Sequence, residues 1–574
     1  MSSADNGGVR AWPALLAAPL FLAALVIWIA WPAFSGFFSG EDFTHWGAYQ
    51  RSGYSFWTAV FQAHDDIFFR PSARAWAIAS SLVLAPDPLL YHVRNCLFVL
   101  AALWLEYFLL LEITGRWSIA FPASLFIAVS KIHLTTIGYL AVFDSVVSWF
   151  HCAGAMYFLV LYLKRGRAWQ LWTHIIFFAL AVGSRDYGMA IAAPLSAAWI
   201  LLGGNRATAR RRVLAGYAGF ISLYLLVRFQ ATGFSTGGAG AAYGLYFAPR
   251  PMLERALVLW SNLWNVSFDL ISSTGLGTRA LFPNLSEPQR YSLELLVVAA
   301  GTGLFLWSVR RSLREPWMQI GLVWAAVFFL PLLLIRNMAI YYSLEPLAGL
   351  AICLAVGLRA NPAWLRGAWY ACCALLLTLG IADGKQVRFY SWRFCADHAR
   401  NVYEATIPVS RSHPKTALTF VANSEERAAE WSFILTANGK GPLLPYLLGR
   451  PDLQVSVGTS PMPRATQMRE VGDSFALAEG NAKYRISPGA GSARRGFNLQ
   501  SGGASALWID CTDATRSTVV VFDGTKLATT YGGPDALSAL VPKQLLSSPG
   551  RKRVALLDTA TGIESEAGWF IVKP

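Results

Sequence analysis

The stretch AWPALLAAPLFLAALVIWIAWPAFSGFFSGED, residues 11–42, carries no charged side chain until it sets two carboxylates, Glu41 and Asp42, side by side at its end. A helix needs about 20 apolar residues to cross the roughly 30 Å hydrocarbon core of a bilayer, and 11–34 supplies them. A cleaved signal peptide is shorter and ends on small residues; this run is long, closes on Trp and Phe, and offers no small-residue cleavage site. It reads as a retained membrane span, which leaves the two acids at a membrane surface.

The rest of the chain follows the same pattern. Of its 574 residues 55% are hydrophobic and 14% charged, whereas a soluble domain carries about 25% charged residues. Further apolar runs at 90–114, 117–133, 138–163, 169–183, 187–203, 212–230, 290–309, 317–335, 342–358 and 364–382 bring the candidate spans to eleven. Only helices and closed barrels satisfy their backbone polar groups in lipid. Residues 1–384 are therefore expected to form an all-α polytopic membrane bundle.

The net charge of +15 would suit a nucleic-acid partner, but the basic residues sit in short clusters between the apolar runs. Starting from Arg10, every second connection carries one: Arg116; Lys164, Arg165 and Arg167; Arg206 with Arg210, Arg211 and Arg212; Arg310, Arg311 and Arg314; Arg359 and Arg366. That alternation is the positive-inside pattern of a multi-pass plasma-membrane protein with a cytoplasmic N-terminus, and no nucleic-acid partner is expected. The opposite loops, with the tail, then lie outside. Two of them are long, 35–89 and 231–289, the second holding the glycine-rich TGFSTGGAGAAYG and the amphipathic MLERALVLWSNLWNVSF. Long ordered loops in compact proteins are usually functional.

From residue 385 to 574 the composition changes. TALTFVAN, STVVVFDG and RVALLDT have the β-branched character of short strands, and EERAAEWSFILTANG the period of a helix. A small extracytoplasmic α/β or mainly β domain is expected. Cys96, Cys152, Cys353, Cys372 and Cys373 lie in apolar runs without metal-ligand spacing; Cys395 and Cys511 fall in the tail, where an oxidising compartment would allow a disulfide.

Ionisable groups near membrane depth are costly enough to face a cavity, a partner or the interface. On the outer side they are Glu41 and Asp42; Asp65, Asp66 and Arg70 in AHDDIFFRP; His133 and Asp144; Arg185 and Asp186 in GSRDYG; and Arg336 with Tyr341 and Tyr342 in IRNMAIYYSLEP. Asp42 suits a helix N-cap and equally a general base for a hydroxyl. Asp66 and Arg70 are spaced for a helical ion pair, although Pro71 places Arg70 at a junction where it suits an anion. Arg185 and Asp186 read as neighbours in a short solvated turn, and Arg336 as a snorkelling cation or an anion site. P-loop, GxSxG, HExxH and DxD patterns are absent, so nucleotide hydrolysis and the common soluble hydrolase mechanisms have no support. No cofactor is indicated, and a divalent metal remains open.

The order of these elements resembles the GT-C superfamily of integral membrane glycosyltransferases, in particular its protein O-mannosyltransferase-like branch. The resemblance runs over about residues 11–360. It rests on the acidic pair opening the first outer loop, FFRPSARAW, YHVRN at 91–95, SRDYGMAIAAP and RNMAIYYSLEPLAGLA. It implies a polyprenyl-phosphate sugar donor reached from the membrane lipid and inverting transfer on the outer face. Asp42 would be the general base with Glu41 beside it, and Arg70, Arg185 and Arg336 would steady the departing phosphate. The pair reads Glu-Asp where Asp-Asp is commoner, Arg185 and Asp186 stand where Lys and Glu are usual, and no tetratricopeptide repeats follow. The expected activity is transfer of a sugar to an envelope glycan, lipid or protein. A lipid-linked sugar flippase and a noncatalytic envelope assembly protein are the alternatives.

Overall fold

The computed structural model describes residues 12–573 except 45–48, 50–54, 62–68, 186–206, 233–246, 267–275, 336–338, 413–416, 439–442 and short stretches at 451, 461–465, 472–473, 478–483, 494–495, 501, 512–513, 561 and 563. The chain divides into two compact units, Met1–Ala399 and Arg400–Pro574.

The first unit is a helical bundle. Among the described residues eight helices are long and apolar enough to cross a bilayer: Ala17–Ser35, Pro88–Thr114, Leu140–Arg165, Arg211–Ala231, Glu287–Val309, Pro316–Leu334, Ile340–Arg359 and Ala363–Gly384. Two of the eleven expected spans come out differently. The 117–133 run is a pair of helices, Trp117–Ala128 and Ile132–Gly138, bent by 62°. The 169–183 run is a 15-residue helix, Ala168–Val182, which at 1.5 Å per residue reaches only about 22 Å. The 187–203 run lies outside the described residues, as does most of the glycine-rich piece.

The bend has a physical origin in Ser130 and Lys131, which interrupt the apolar run. A helix broken at membrane depth must re-satisfy the backbone groups it frees. Here Asn265 does so: it accepts from the Lys131 N–H at 2.8 Å and donates to the carbonyls of Val129 and Leu376 at 2.7 and 2.6 Å. The Lys131 ammonium is fully buried 3.4 Å from Asp383, which also accepts from the Tyr390 hydroxyl.

Ile340–Arg359 is the central helix, 89% buried along its apolar window, whereas Arg211–Ala231 is 17% buried and faces outward. Close packing at the centre needs glycine: a Cβ on Gly349 would lie 2.6 Å from the Ala325 nitrogen and 2.7 Å from the Gly321 carbonyl oxygen. Small residues let membrane helices approach where no hydrophobic driving force draws them together.

The basic connections gather at one end of the bundle. Lys164 and Arg165 both bind Glu112, Arg359 pairs with Glu315 and reaches the Ile113 carbonyl, and Arg366 bonds Ser118. The acidic pair follows the opposite end of the first span.

The second unit begins with a four-stranded mixed sheet ordered Gln454–Gly458, Ala417–Val421, Thr466–Val471, Ser474–Leu477. Two further sheets share one core, in which Leu507, Ile509 and Leu537 meet Val520, Val554 and Phe570. One is ordered Ala528–Gly533, Ala536–Val541, Ser505–Asp510, Arg485–Ser487; the other Ala490–Ser492, Glu564–Lys573, Gly550–Asp558, Thr518–Phe522, Thr525–Lys526. Alternating burial along Ser505–Asp510 and Ala536–Val541 is the pattern of a sandwich strand with one face inward. The tail is thus mainly β, with a small α/β portion. Cys511 packs in the sandwich core.

Candidate functional site

After the first span a single turn, Gly40–Phe43, presents the two carboxylates. Phe38 and Phe43 are fully buried, 4.7 Å apart between ring centroids, and Phe38 meets Tyr91 edge-on at 5.2 Å. This aromatic anchor fixes the turn. The turn is closed by a capping box in which Asp42 Oδ2 accepts from the Ser39 N–H at 2.7 Å and from its hydroxyl at 3.3 Å. Asp42 Oδ1 is shut from solvent and has no hydrogen bond of normal geometry; beyond Ser39, the backbone N–H that approaches the carboxylate is that of Ala141. The cap and base readings of Asp42 therefore occupy different oxygens of one carboxylate.

Glu41 accepts a hydrogen bond from Tyr139, the residue just past Ile132–Gly138. That short helix is held by Pro88–Thr114: His92 Nδ1 bonds the Ile137 carbonyl at 2.8 Å, and Asn95 donates to the Thr136 carbonyl at 3.1 Å. Between them Arg94 bonds Asn95 and stacks on Phe143, its guanidinium carbon 3.7 Å from the ring centre.

The cations follow from Tyr139 by contact. Its ring lies 6.5 Å from Tyr341, which lies 4.5 Å from Tyr342, and the Arg185 guanidinium sits over Tyr342 at 5.6 Å. Arg185 is buried, donating to Glu345 at 2.6 Å and to the Ser145 hydroxyl at 2.8 Å. Next to Ser145, Asp144 pairs with Arg70.

Burial raises the pKa of Glu41 to about 7, with the Asp42 charge adding to the rise. Asp42 also rises to about 7: burial outweighs the Ser39 hydrogen bonds, the Arg94 charge and the Ala141 N–H, all of which favour the anion. Two adjacent carboxylates so placed titrate as a pair near neutral pH, where a general base is most effective. Among the described residues no group of three or more His, Cys, Asp or Glu side chains could hold a metal ion.

Beside this cluster lies an apolar groove of about 370 Å³, lined by Trp57, Phe61, Phe69, Leu180, Leu223 and Tyr224 among others. Its walls come from the first outer loop, Ala168–Val182 and Ala207–Thr232. Its lining residues Phe69 and Pro71 flank Arg70, and Gly183 lies two residues before Arg185. The Ser72 N–H bonds the Gly183 carbonyl at 2.9 Å; a Cβ at Gly183 would lie 2.3 Å from the Ser72 hydroxyl and 3.3 Å from the Ser72 nitrogen, so a larger residue would force the Ser72 side chain to turn away where the two segments touch.

Glu41, Asp42, Arg70, Asp144, Arg185, Tyr341 and Tyr342 are thus joined into one constellation. Other sequence expectations change. Arg70 occupies the cap position before Pro71–Val83 with non-helical φ −125° and ψ 62°, and it pairs with Asp144. Arg185 is buried on Glu345 instead of solvated in a turn. His133 does not join: it is fully buried, bonded to the Ile127 carbonyl at 3.0 Å and facing Trp149. Asp66, Asp186 and Arg336 lie outside the described residues. Sequence reading missed Tyr139, Arg94 and Glu345. The latter two stood inside motifs already singled out, YHVRN and SLEPL, as charges within apolar runs; Tyr139 carried no signal.

No protein-family model matches the chain, and no curated protein matches it. Among solved structures it is similar to the Archaeoglobus fulgidus oligosaccharyltransferase tethered with an acceptor peptide containing the NVT sequon. The TM-score is 0.41 and the identity 12%, over 79% of this chain and 64% of that one. It is also similar to ArnT from Cupriavidus metallidurans bound to undecaprenyl phosphate, with TM-score 0.45 and 10% identity over 78% of this chain and 86% of that one. The chain spans a little under two thirds of the oligosaccharyltransferase's length.

Proposed function

We propose that the protein is a multi-pass plasma-membrane glycosyltransferase of the GT-C kind. It would move a sugar from a polyprenyl-phosphate donor to an envelope glycan, lipid or protein on the outer face, inverting the anomeric carbon. The observation that carries this reading is the junction of three features: a neutral-poised carboxylate pair, two arginines each held on a carboxylate, and an apolar groove that opens beside Arg70 and Arg185. A donor of this class has matching parts, an acyclic hydrocarbon tail, an anionic phosphate and a sugar.

In this mechanism the tail occupies the groove, where hydrocarbon leaves water for apolar walls. Asp42 Oδ1, its partner oxygen already committed to Ser39, takes the proton of the acceptor hydroxyl as that oxygen attacks the anomeric carbon. The bond to the phosphate oxygen breaks with its electron pair, and the developing charge is met by Arg70 and Arg185, with Arg336 as a further candidate. Each guanidinium has five N–H donors in a fixed fork, and Arg185 spends two on Glu345 and Ser145. Fixed cations in a water-poor site lower such a barrier more than solvent does. Glu41, anchored by Tyr139, keeps the turn rigid and shares the proton equilibrium of its neighbour.

A lipid-linked sugar flippase is the second reading. It is favoured by Glu106, a fully buried carboxylate with both oxygens unbonded, about two turns from the Thr114 end of its helix. Transfer from radiolabelled polyprenyl-phosphate sugars to envelope extract, by purified wild type and Asp42→Asn, separates the two. Loss of about 10² to 10⁴-fold in the variant supports the base. Equal transfer by both proteins removes Asp42 from the chemistry. Absence of transfer from every donor, with movement of labelled lipid across vesicles, establishes the flippase.

A further inference from the structure

In the second unit the sheet ordered Ala528–Gly533, Ala536–Val541, Ser505–Asp510, Arg485–Ser487 packs Leu507, Ile509, Leu537 and Ala539 into the sandwich and turns its alternate residues outward. The register sets Ser487 opposite Trp508, Trp508 opposite Ser538, and Ser538 opposite Thr530. These four residues form one row across all four strands. With strands about 4.8 Å apart, the row runs about 14 Å.

Trp508 is 47% exposed, although an indole ordinarily contributes its large area to a core. Its Nε1–H donates to Asp510 Oδ1 at 2.7 Å, which ties the ring to its own strand. The neighbouring outward positions are small, Ala506, Ala528 and Ala536, so the indole stands above a low floor, with Leu540 on its diagonal. Two ionisable residues take outward positions on these strands, Asp510 and Arg485, and the register sets them opposite each other.

We propose that this face is a carbohydrate-binding platform for a neutral glycan chain. A pyranose ring has an apolar face of C–H groups and a polar rim of hydroxyls. It needs a flat aromatic surface with hydrogen-bonding groups at the level of that rim, and the row places hydroxyls one strand away on either side of the indole. The charge pattern selects against other occupants. Phosphate, nucleic acid and anionic lipid surfaces need an excess of cations, and the register sets the one basic position of this face, Arg485, opposite Asp510, so that acid and base balance. A second copy of the chain would need about 800 Å² of complementary surface per partner, whereas Trp508 and Leu540 are the two large exposed apolar side chains here. The platform belongs to the second unit and the acidic pair to the first, and binding to the platform is measurable without any transfer reaction.

The test uses the full-length protein in nanodiscs of phosphatidylcholine. Binding is measured to neutral hexasaccharides of α-mannan, α-glucan, β-glucan, β-galactan and chitin. At least one is expected to bind, with Trp508→Ala weakening it about tenfold or more, Trp508→Phe within about threefold of wild type, and thermal unfolding of both variants unchanged. Failure of all five hexasaccharides to bind the wild type overturns the proposal. So does equal binding by Trp508→Ala, or Trp508-dependent attachment to sugar-free anionic vesicles or to a second copy of the chain.

Discussion

Raising and lowering pH across neutrality is the sharpest perturbation of the proposed site, because burial sets both members of the acidic pair near 7. If Asp42 must be ionised to accept a proton, its active fraction at pH 5 is about one in a hundred and grows about tenfold per pH unit up to 7. Transfer at limiting donor, as kcat/KM, is therefore expected to climb about 100-fold from pH 5 to a plateau above 8. The causes of the shifts predict how variants move the inflection. The coupling between the two carboxylates is mutual, so Glu41→Gln moves the inflection downward, while burial of Asp42 keeps it above the ordinary carboxylate range. Arg94 favours the Asp42 anion, so Arg94→Met moves the inflection upward. Stability runs the opposite way to activity. A buried carboxylate with a raised pKa binds more protons folded than unfolded between about 4 and 7, so stability is lost as pH rises through that window. The assay is initial-rate transfer in detergent or nanodiscs at fixed ionic strength, with thermal unfolding over the same pH series. A flat rate profile from pH 5 to 8, or an inflection near 4, refutes the burial argument and with it the assignment of Asp42.

Three further outcomes test the frame that holds the site. Removing one partner of the buried Arg185–Glu345 pair leaves an uncompensated charge, so Arg185→Met or Glu345→Leu each costs about 3–5 kcal/mol of unfolding free energy, and the double variant less than the sum, as a double-mutant cycle reads. Leu180→Trp fills the groove and raises KM for a long-chain polyprenyl donor several-fold while leaving a short-chain donor unchanged, which a chain-length series measures. Gly349→Val drives its side chain into the backbone of Pro316–Phe329 and abolishes monodisperse protein in size-exclusion chromatography, whereas Gly303→Ala, whose Cβ would meet open space, leaves it intact.

Much of this was legible before any coordinates. The apolar runs announce spans because lipid leaves the backbone few alternatives, and the alternation of Arg and Lys clusters is a one-dimensional signal. The acidic pair stood out because charge is rare in this chain. What was illegible is partnership. Arg70 is bonded to Asp144, seventy-four residues away. Arg185 adjoins Asp186 in sequence yet is bonded to Glu345. The bend at Ser130 and Lys131 lay hidden because hydropathy averages over a window, while the groups that make the bend tolerable, Asn265 and Asp383, are more than a hundred residues away.

The sequence by itself determined that this is a multi-pass membrane protein with an α/β or mainly β tail and an acidic pair directly after its first span, since hydrophobic length, strand period and charge placement are properties of contiguous residues. Only the tertiary structure decided that Tyr139 meets Glu41, that Asp42 commits one oxygen to its cap and leaves the other buried, and that an apolar groove opens beside Arg70 and Arg185. Those relations depend on how helices distant in the chain pack, and burial, which sets the protonation of the acidic pair, exists only once they have packed.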